Sequence, residues 1–281
     1  MELLTLLWGT VLLRPYVFVF LALYLTLAIC HMGVVRSVIF TVLAFAIAFL
    51  SEYSSTRTGF PYGAYHYIDS TRDLELWISN VPFMDSLSYS FLAYVAYSMA
   101  LLLWSPLKKN GWDIRLVDDK QIRNSLTVVF SGAVFFMLMD VIIDPVAARG
   151  DRWFLGKIYA YEVEGEYFGI PLTNFGGWLL VGTAILYSFT RIDRFLDGKV
   201  LRKKRGLPAQ ALLGPALYFG VLFFNLGVTF YIGEWGIGAC STGITLALLW
   251  LVYCKIRSPD KFTIESHSET DPHQPSRAEK V

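Results

Sequence analysis

Two carboxyl groups, Asp140 and Asp144, lie four residues apart in the apolar run 135–145, and Pro145 follows directly. On a helix this spacing places both acids on one face, one turn apart. A charged group in a membrane-length apolar helix costs at least about 2.5–3.5 kcal/mol, so it needs a partner, a watery cavity or a proton. Two adjacent acids do not both ionise readily there, so we expect one of them to hold a proton. Such a proton suits acid chemistry on an apolar substrate. The alternative is an acid pair that reaches water where Pro145 ends the helix.

The composition indicates an integral membrane protein. The chain has 281 residues, is 55% hydrophobic and 16% aromatic, and carries a formal net charge of +1. A net charge this close to zero does not indicate the basic surface that nucleic-acid binding requires, so we predict no nucleic-acid partner. Several apolar runs approach the ~20 residues that cross a bilayer. The three cysteines, Cys30, Cys240 and Cys254, lack motif spacing, so we predict neither a disulfide nor a metal site from them.

The pattern of apolar runs predicts an all-α, polytopic membrane bundle of about seven transmembrane helices. Residues 1–15 are apolar but too short to span comfortably, so we expect them at the membrane interface or packed on the bundle. Residues 16–255 should form the bundle, and 256–281 a disordered polar tail. The predicted spans lie near 16–33, 37–51, 86–104, 125–144, 175–190, 211–232 and 236–254.

Lysine and arginine predict how this bundle is oriented. Of the 24 Lys and Arg residues, 18 lie in the loops after spans one, three and five and in the tail. By the positive-inside rule, the N-terminus should be outside and the C-terminus cytoplasmic, in a multi-pass protein of the cell membrane. The basic run 202–205 is most simply a topology anchor, with anionic-lipid binding as the alternative.

With this orientation, the residues that could do chemistry gather on the outer half of the bundle. Glu52 lies at the end of the second span, and the following loop 59–67 is framed by glycine and proline, which impose a definite turn geometry. That loop could be an interfacial aromatic belt or part of a site. Its candidate site residues are Tyr62, Tyr65, His66 and Tyr67.

A second group of candidates surrounds the outer end of the fourth and fifth spans. Trp153 lies in the outer loop, where three alternating glutamates, 162, 164 and 166, predict a solvated face. The paired glycines 176 and 177 would permit close backbone approach at the start of the fifth span. Asn174 is suited to cap that helix, or else to contact substrate or water. Trp178 is either a packing residue or a site residue.

Three sequence blocks together resemble the CruF-type carotenoid 1,2-hydratases, a membrane carotenoid biosynthesis family that includes the bisanhydrobacterioruberin hydratases. The loop 59–67 with Glu52 resembles the family's G-x-P-(F/Y)-G-x-Y-x-Y element. The stretch 140–145 resembles its D-x-x-x-D-P element, and 167–178 its Y-x-G-I-P-L-x-N-F-x-G-W block. The resemblance covers most of residues 34–255. Asp85 occupies a position where we expect an apolar residue.

The resemblance implies a hydro-lyase that adds water across the C1–C2 double bond of an acyclic (psi) carotenoid end, giving a tertiary alcohol without a cofactor. Protonation of the alkene would leave a cation that water captures, with Asp140, Asp144 and Glu52 as candidates for the acid and for positioning water. Aromatic side chains can stabilise the cation. The implied partners are a carotenoid within the bilayer, water, membrane lipid and other enzymes of the pathway. The candidate substrate-binding residues are Tyr62, Tyr65, His66, Tyr67, Trp153, Asn174 and Trp178.

The sequence also allows other functions. An intramembrane prenyltransferase would hold magnesium and diphosphate between two D-x-x-x-D motifs, which Asp69–Asp73 and Asp140–Asp144 imitate, but the acids lie on the side poorer in Lys and Arg. A proton-coupled carrier could use the buried acids as a relay, although we see no internal repeat. A retinal photoreceptor is disfavoured, because the last predicted span has no lysine.

Overall fold

The computed structural model describes residues 2–200 and 207–258, and their architecture is a helix bundle. Within these described residues, seven helices are long and apolar enough to cross a membrane. They are α2 (Pro15–Met32), α3 (Val34–Thr58), α4 (Phe83–Trp104), α6 (Leu126–Ala147), α7 (Leu172–Leu196), α8 (Gln210–Tyr231) and α9 (Trp235–Arg257). The two shorter helices are α1 (Glu2–Leu13) and α5 (Lys120–Arg123).

The predicted all-α bundle with about seven spans is therefore confirmed, and two helix ends differ from prediction in ways that matter for the site. Helix α3 continues past residue 51 to Thr58 and ends at Gly59, whose φ of 76° fits the left-handed helix cap that glycine provides. Helix α6 includes Pro145 and ends two residues later, so that proline does not terminate it. Orientation across the membrane stays a prediction. The basic run 202–205 and the tail from residue 259 lie outside the described residues.

Helix α4 forms the centre of the bundle. Almost every side chain from Met84 to Leu102 is buried, and α4 contacts α2, α3, α6 and α8. Its sequence explains this position, because alanine and serine recur on all its faces and let neighbouring backbones approach. At Gly214 of α8, an added Cβ would collide with the side chain of Ser98 on α4, so only glycine fits this crossing.

The connections divide between the two ends of the bundle. One end carries two small antiparallel ribbons: β1 (Tyr65–Tyr67) pairs with β6 (Tyr159–Tyr161), and β2 (Trp77–Ile78) pairs with β3 (Val81–Pro82). The other end carries the hairpin of β4 (Leu107–Asn110) and β5 (Asp113–Leu116). Because successive spans alternate in direction, the ends of α3 and α6 meet the starts of α4 and α7 at the first end.

The opposite end is joined by buried ion pairs. Arg36 of α3 and Arg123 of α5 both bind the Asp193 carboxylate of α7, at 2.6 and 2.9 Å. Both guanidinium groups also contact Asp197. A buried charge is tolerated when it is paired and hydrogen-bonded, and this network satisfies each partner. It ties α3, α5 and α7 together far from the acids of α6.

Candidate functional site

Asp140 and Asp144 lie on one face of α6, as their spacing predicts, and a single amide joins them. Asn174 Nδ2 donates to Asp140 Oδ2 at 2.6 Å and to Asp144 Oδ2 at 2.9 Å. Asp140 Oδ1 is buried and has no hydrogen-bond partner among the described residues. Asp140 is 0% exposed and Asp144 8%. Both acids are therefore buried, including the one beside Pro145.

The predicted capping role of Asn174 is wrong. Helix α7 starts after Pro171, and the side chain that accepts from its first backbone N–H, that of Leu172, is Glu166 at 3.4 Å and not Asn174. Asn174 is the third residue of the helix, and its amide turns inward to the two carboxyl groups because these are buried acceptors that need donors.

A ribbon of four tyrosines covers the acids. The β1–β6 pairing sets Tyr65 opposite Tyr161 and Tyr67 opposite Tyr159. Strand side chains alternate between faces, so these four share the inner face. The Tyr159 hydroxyl donates to Asp144 Oδ1, and the Tyr161 hydroxyl donates to Asp144 Oδ2, each at 3.0 Å.

The same alternation carries His66 away from the acids. His66 lies between Tyr65 and Tyr67 on β1 and is exposed, whereas its two neighbours are buried. The structure therefore does not bring His66 into the site, although the sequence suggested it as a site residue.

Two further carboxyl groups approach the tyrosine ribbon from α3 and α4. Glu52 is 1% exposed and accepts a hydrogen bond from the Ser86 hydroxyl. It lies inside the bundle because α3 continues well past it. Asp85, in the first turn of α4, accepts a hydrogen bond from the Tyr67 hydroxyl. Asp85 was not among the predicted site residues.

Trp178 of α7 forms an aromatic wall beside the acids. Its ring stacks on Tyr89 with centroids 4.5 Å apart and lies 4.6 Å from the Phe136 ring. Tyr62 contacts the same indole at 6.2 Å. The loop that carries Tyr62 packs against Gly177, where an added Cβ would lie 2.7 Å from the Pro61 carbonyl oxygen. The predicted close approach at the paired glycines is thus present at Gly177.

These residues line two adjoining cavities. A polar chamber of about 50 Å³ is lined by Glu52, Tyr62, Tyr65, Tyr67, Asp85, Tyr89, Asp144, Tyr159, Tyr161, Asn174 and Trp178. A larger, mainly apolar cavity of about 120 Å³ is formed by side chains of α2, α4, α6 and α8 with the loop before β6, and Trp153 is among them. The two cavities share Asp85, Asp144, Tyr159 and Trp178. An apolar compartment therefore adjoins an acidic one across two carboxyl groups.

Three tyrosines of the ribbon, Tyr67, Tyr159 and Tyr161, donate hydrogen bonds to the carboxyl groups. Burial and the neighbouring Asp144 carboxylate raise the pKa of both Tyr159 and Tyr161. Burial likewise raises the pKa of Tyr65 and Tyr67, with the charges of Glu52 and Asp85 acting in the same direction. All four phenols therefore keep their protons over the working range of a protein.

All ten predicted site residues lie at this end of the bundle; nine of them belong to the site, whereas His66 is exposed and faces away from it. It also places Asp69 and Asp73, which a diphosphate site would need, on the exposed surface and outside both cavities. The predicted solvated face of glutamates 162, 164 and 166 is confirmed by their exposure.

The residues that sequence reasoning missed are Asp85, Tyr89, Tyr159 and Tyr161. The Y-x-Y pattern shared by 65–67 and 159–161 was a signal for two of them.

Fold and site together define a polytopic membrane protein with a buried acidic chamber beside an apolar cavity. The chain belongs to the family of carotenoid biosynthesis proteins, whose family model matches residues 9–249. This confirms the family to which the sequence blocks pointed.

One relative carries a more specific name. A bisanhydrobacterioruberin hydratase from Haloarcula japonica is 29% identical over 154 residues, which are 54% of this chain and 43% of that protein. The match therefore spans less than half of the relative's length. No solved structure shows a significant match to the chain.

Proposed function

We propose that this protein is a hydro-lyase of the cell membrane that adds water across the C1–C2 double bond of an acyclic carotenoid end, giving a tertiary alcohol. Membership in the carotenoid biosynthesis family and the name of the hydratase relative support this reaction. The observation that carries the proposal is the acidic chamber that adjoins an apolar cavity across Asp85 and Asp144.

The two cavities match the two reactants. The apolar cavity, at about 120 Å³, accommodates only the end of a long polyene, and the rest of the chain would lie in the bilayer. The polar chamber, at about 50 Å³, exceeds the ~10–15 Å³ that one water molecule needs, and its carboxylates and phenols supply hydrogen-bond partners. Water and alkene would thus meet at the shared residues.

Hydration of a trisubstituted alkene begins with a proton on C2, which leaves a tertiary cation at C1. A carboxyl group that holds its proton in a buried site supplies that acid. The Trp178 and Tyr159 rings line both cavities, and an aromatic face stabilises a desolvated cation by about 2 kcal/mol. Water in the chamber then attacks C1.

The predicted catalytic residues occupy different places in this scheme. Asp144 lines both cavities, Glu52 lines the polar chamber only, and Asp140 lines neither, being held behind Asp144 by Asn174. Asp140 would act through Asp144 by sharing a proton with it, whereas Asp144 would contact water or substrate directly. Tyr62, Tyr65, Tyr67, Trp153, Asn174 and Trp178 would shape the two compartments.

The direct test is expression of the full chain in a lycopene-producing host, followed by mass analysis of the extracted pigments. We expect carotenoids that have gained one or two molecules of water, and none in a host that carries Asp144→Asn, which keeps the size of the side chain. A wild-type protein that accumulates in the membrane without any hydrated pigment would contradict the proposal for this substrate class.

A further inference from the structure

The apolar cavity is bordered by two carboxyl groups of the described chain, and one of them, Asp85, has no role in the scheme above. Asp85 and Asp144 line both cavities. Glu52 reaches only the polar chamber, and Asp140 reaches neither. An alkene in the apolar cavity would therefore meet Asp85 or Asp144 first.

The four carboxyl groups form two pairs that are arranged in the same way. Asp144 has Asp140 behind it, and the Asn174 amide donates to both carboxyl groups. Asp85 has Glu52 behind it, and Tyr67, whose hydroxyl donates to Asp85, lines the polar chamber together with Glu52. Each pair thus has an inner member that is away from the apolar cavity and an outer member at the junction of the cavities.

The two outer carboxyl groups, Asp85 and Asp144, differ in the number of hydrogen bonds that they accept. Asp144 takes hydrogen bonds from Tyr159, Tyr161 and Asn174, on both of its oxygens. Donors aimed at a carboxylate favour its charged form, so Asp144 is built as a base.

Asp85 takes one side-chain hydrogen bond within the described chain, from Tyr67, and this leaves its Oδ1 able to hold a proton. The helix dipoles act in the opposite sense, because Asp85 lies in the first turn of α4, where an anion is favoured, and Asp144 lies in the last turn of α6, where an anion is disfavoured. The dipoles act through partial charges, so the three direct donors on Asp144 outweigh them, and the asymmetry between the two carboxyl groups remains.

We propose that Asp85 is a second catalytic carboxyl of this site, the acid that protonates the alkene, while Asp144 accepts the proton of the attacking water. This assignment rests on the proposed hydratase function. The Asp85 O–H bond breaks as the alkene π pair forms the C2–H bond. A water lone pair then forms the C1–O bond, and the released proton goes to Asp144.

The cycle closes without a redox step. Asp85 has lost one proton and Asp144 has gained one, and both line the polar chamber, so water there can return the proton to Asp85. The net change is addition of one water to the alkene.

The test measures turnover on an acyclic carotenoid for the purified full chain, normalised to monodisperse folded protein. Asp85→Asn keeps size and hydrogen bonding but removes the acid, so turnover should fall at least about 100-fold with KM nearly unchanged. Asp85→Glu should recover part of that loss. Asp69→Asn is the matched control, since Asp69 is an exposed acid outside both cavities, and it should match the wild type.

Folded Asp85→Asn protein with turnover within about threefold of wild type would overturn the assignment and leave the hydratase function standing. A wild-type protein without hydratase activity would instead refute the function itself, and the assignment with it. If Asp85→Asn does not fold, Asp85→Glu and Tyr67→Phe replace it. Both move or release the acid, so wild-type turnover in both would overturn the proposal.

Discussion

Replacing Asp140 by asparagine separates a catalytic role of the α6 acids from a structural one. The new side chain would keep an oxygen to accept from Asn174, and its amide would take the place of Asp140 Oδ1, which has no partner among the described residues. The buried hydrogen bonds are therefore conserved in number, and we expect folding stability to change by no more than about 1 kcal/mol.

The effect on the reaction should be far larger. An amide cannot share an acidic proton with Asp144, and a positioned acid or base contributes about 10²–10⁴ in rate. At about 1.36 kcal/mol per factor of ten, this is about 3–5 kcal/mol of transition-state stabilisation. The loss should appear in turnover rather than in KM, because Asp140 lines neither cavity.

The assay is hydration of an acyclic carotenoid per molecule of monodisperse protein, with thermal stability in detergent measured on the same preparation. Asp69→Asn again controls for loss of one acidic group at an exposed position. A purely structural Asp140 would give poor folded yield with normal activity per folded molecule. Well-folded, fully active Asp140→Asn protein would refute the shared-proton reasoning.

Three further predictions address the reaction, the orientation and the packing. The product oxygen should come from water under anaerobic conditions, and oxygen-18 incorporated from dioxygen would contradict hydration. A reporter fused after Val281 should be cytoplasmic and a label in the loop 59–75 should react from outside; the reverse accessibility would invert the bundle. Gly177→Ala should lower the thermal stability by forcing the Pro61 backbone away, since the new Cβ would lie 2.7 Å from the Pro61 carbonyl oxygen. Gly176→Ala is the control and should not lower it, because an added Cβ there meets nothing within 4 Å. Equal melting temperatures for the two variants would refute this packing argument.

The acids of α6 show how far sequence reasoning reaches. Asp140 and Asp144 are close in the chain, so helical periodicity alone places them on one face, and the structure has them there. Their burial follows from the apolar run around them. The seven spans follow in the same way, because bilayer thickness fixes the length of an apolar helix.

Contacts between segments that are distant in the sequence were harder to predict. Of the two roles predicted for Asn174, capping of α7 is the local one that a sequence suggests most simply, but its amide donates to carboxyl groups 30 and 34 residues earlier. His66 was grouped with its tyrosine neighbours, and the pairing of β1 with β6 turned it outward. A three-residue strand shows too little alternation of buried and exposed residues to indicate which side chains face inward before its partner strand is known.

The sequence by itself therefore determined the class of fold, the family, and the end of the bundle at which the acids gather. Periodicity and apolar length are local properties, and they suffice for these conclusions. Only the tertiary structure decided which carboxyl groups meet at the cavity. It placed Asp85 beside the apolar space, put Asp140 behind Asp144, and brought Glu52 into the polar chamber with Tyr67. The physical reason is that α3, α4 and α6 and the tyrosine ribbon converge there only after the helices pack, and no spacing along the chain encodes those distances.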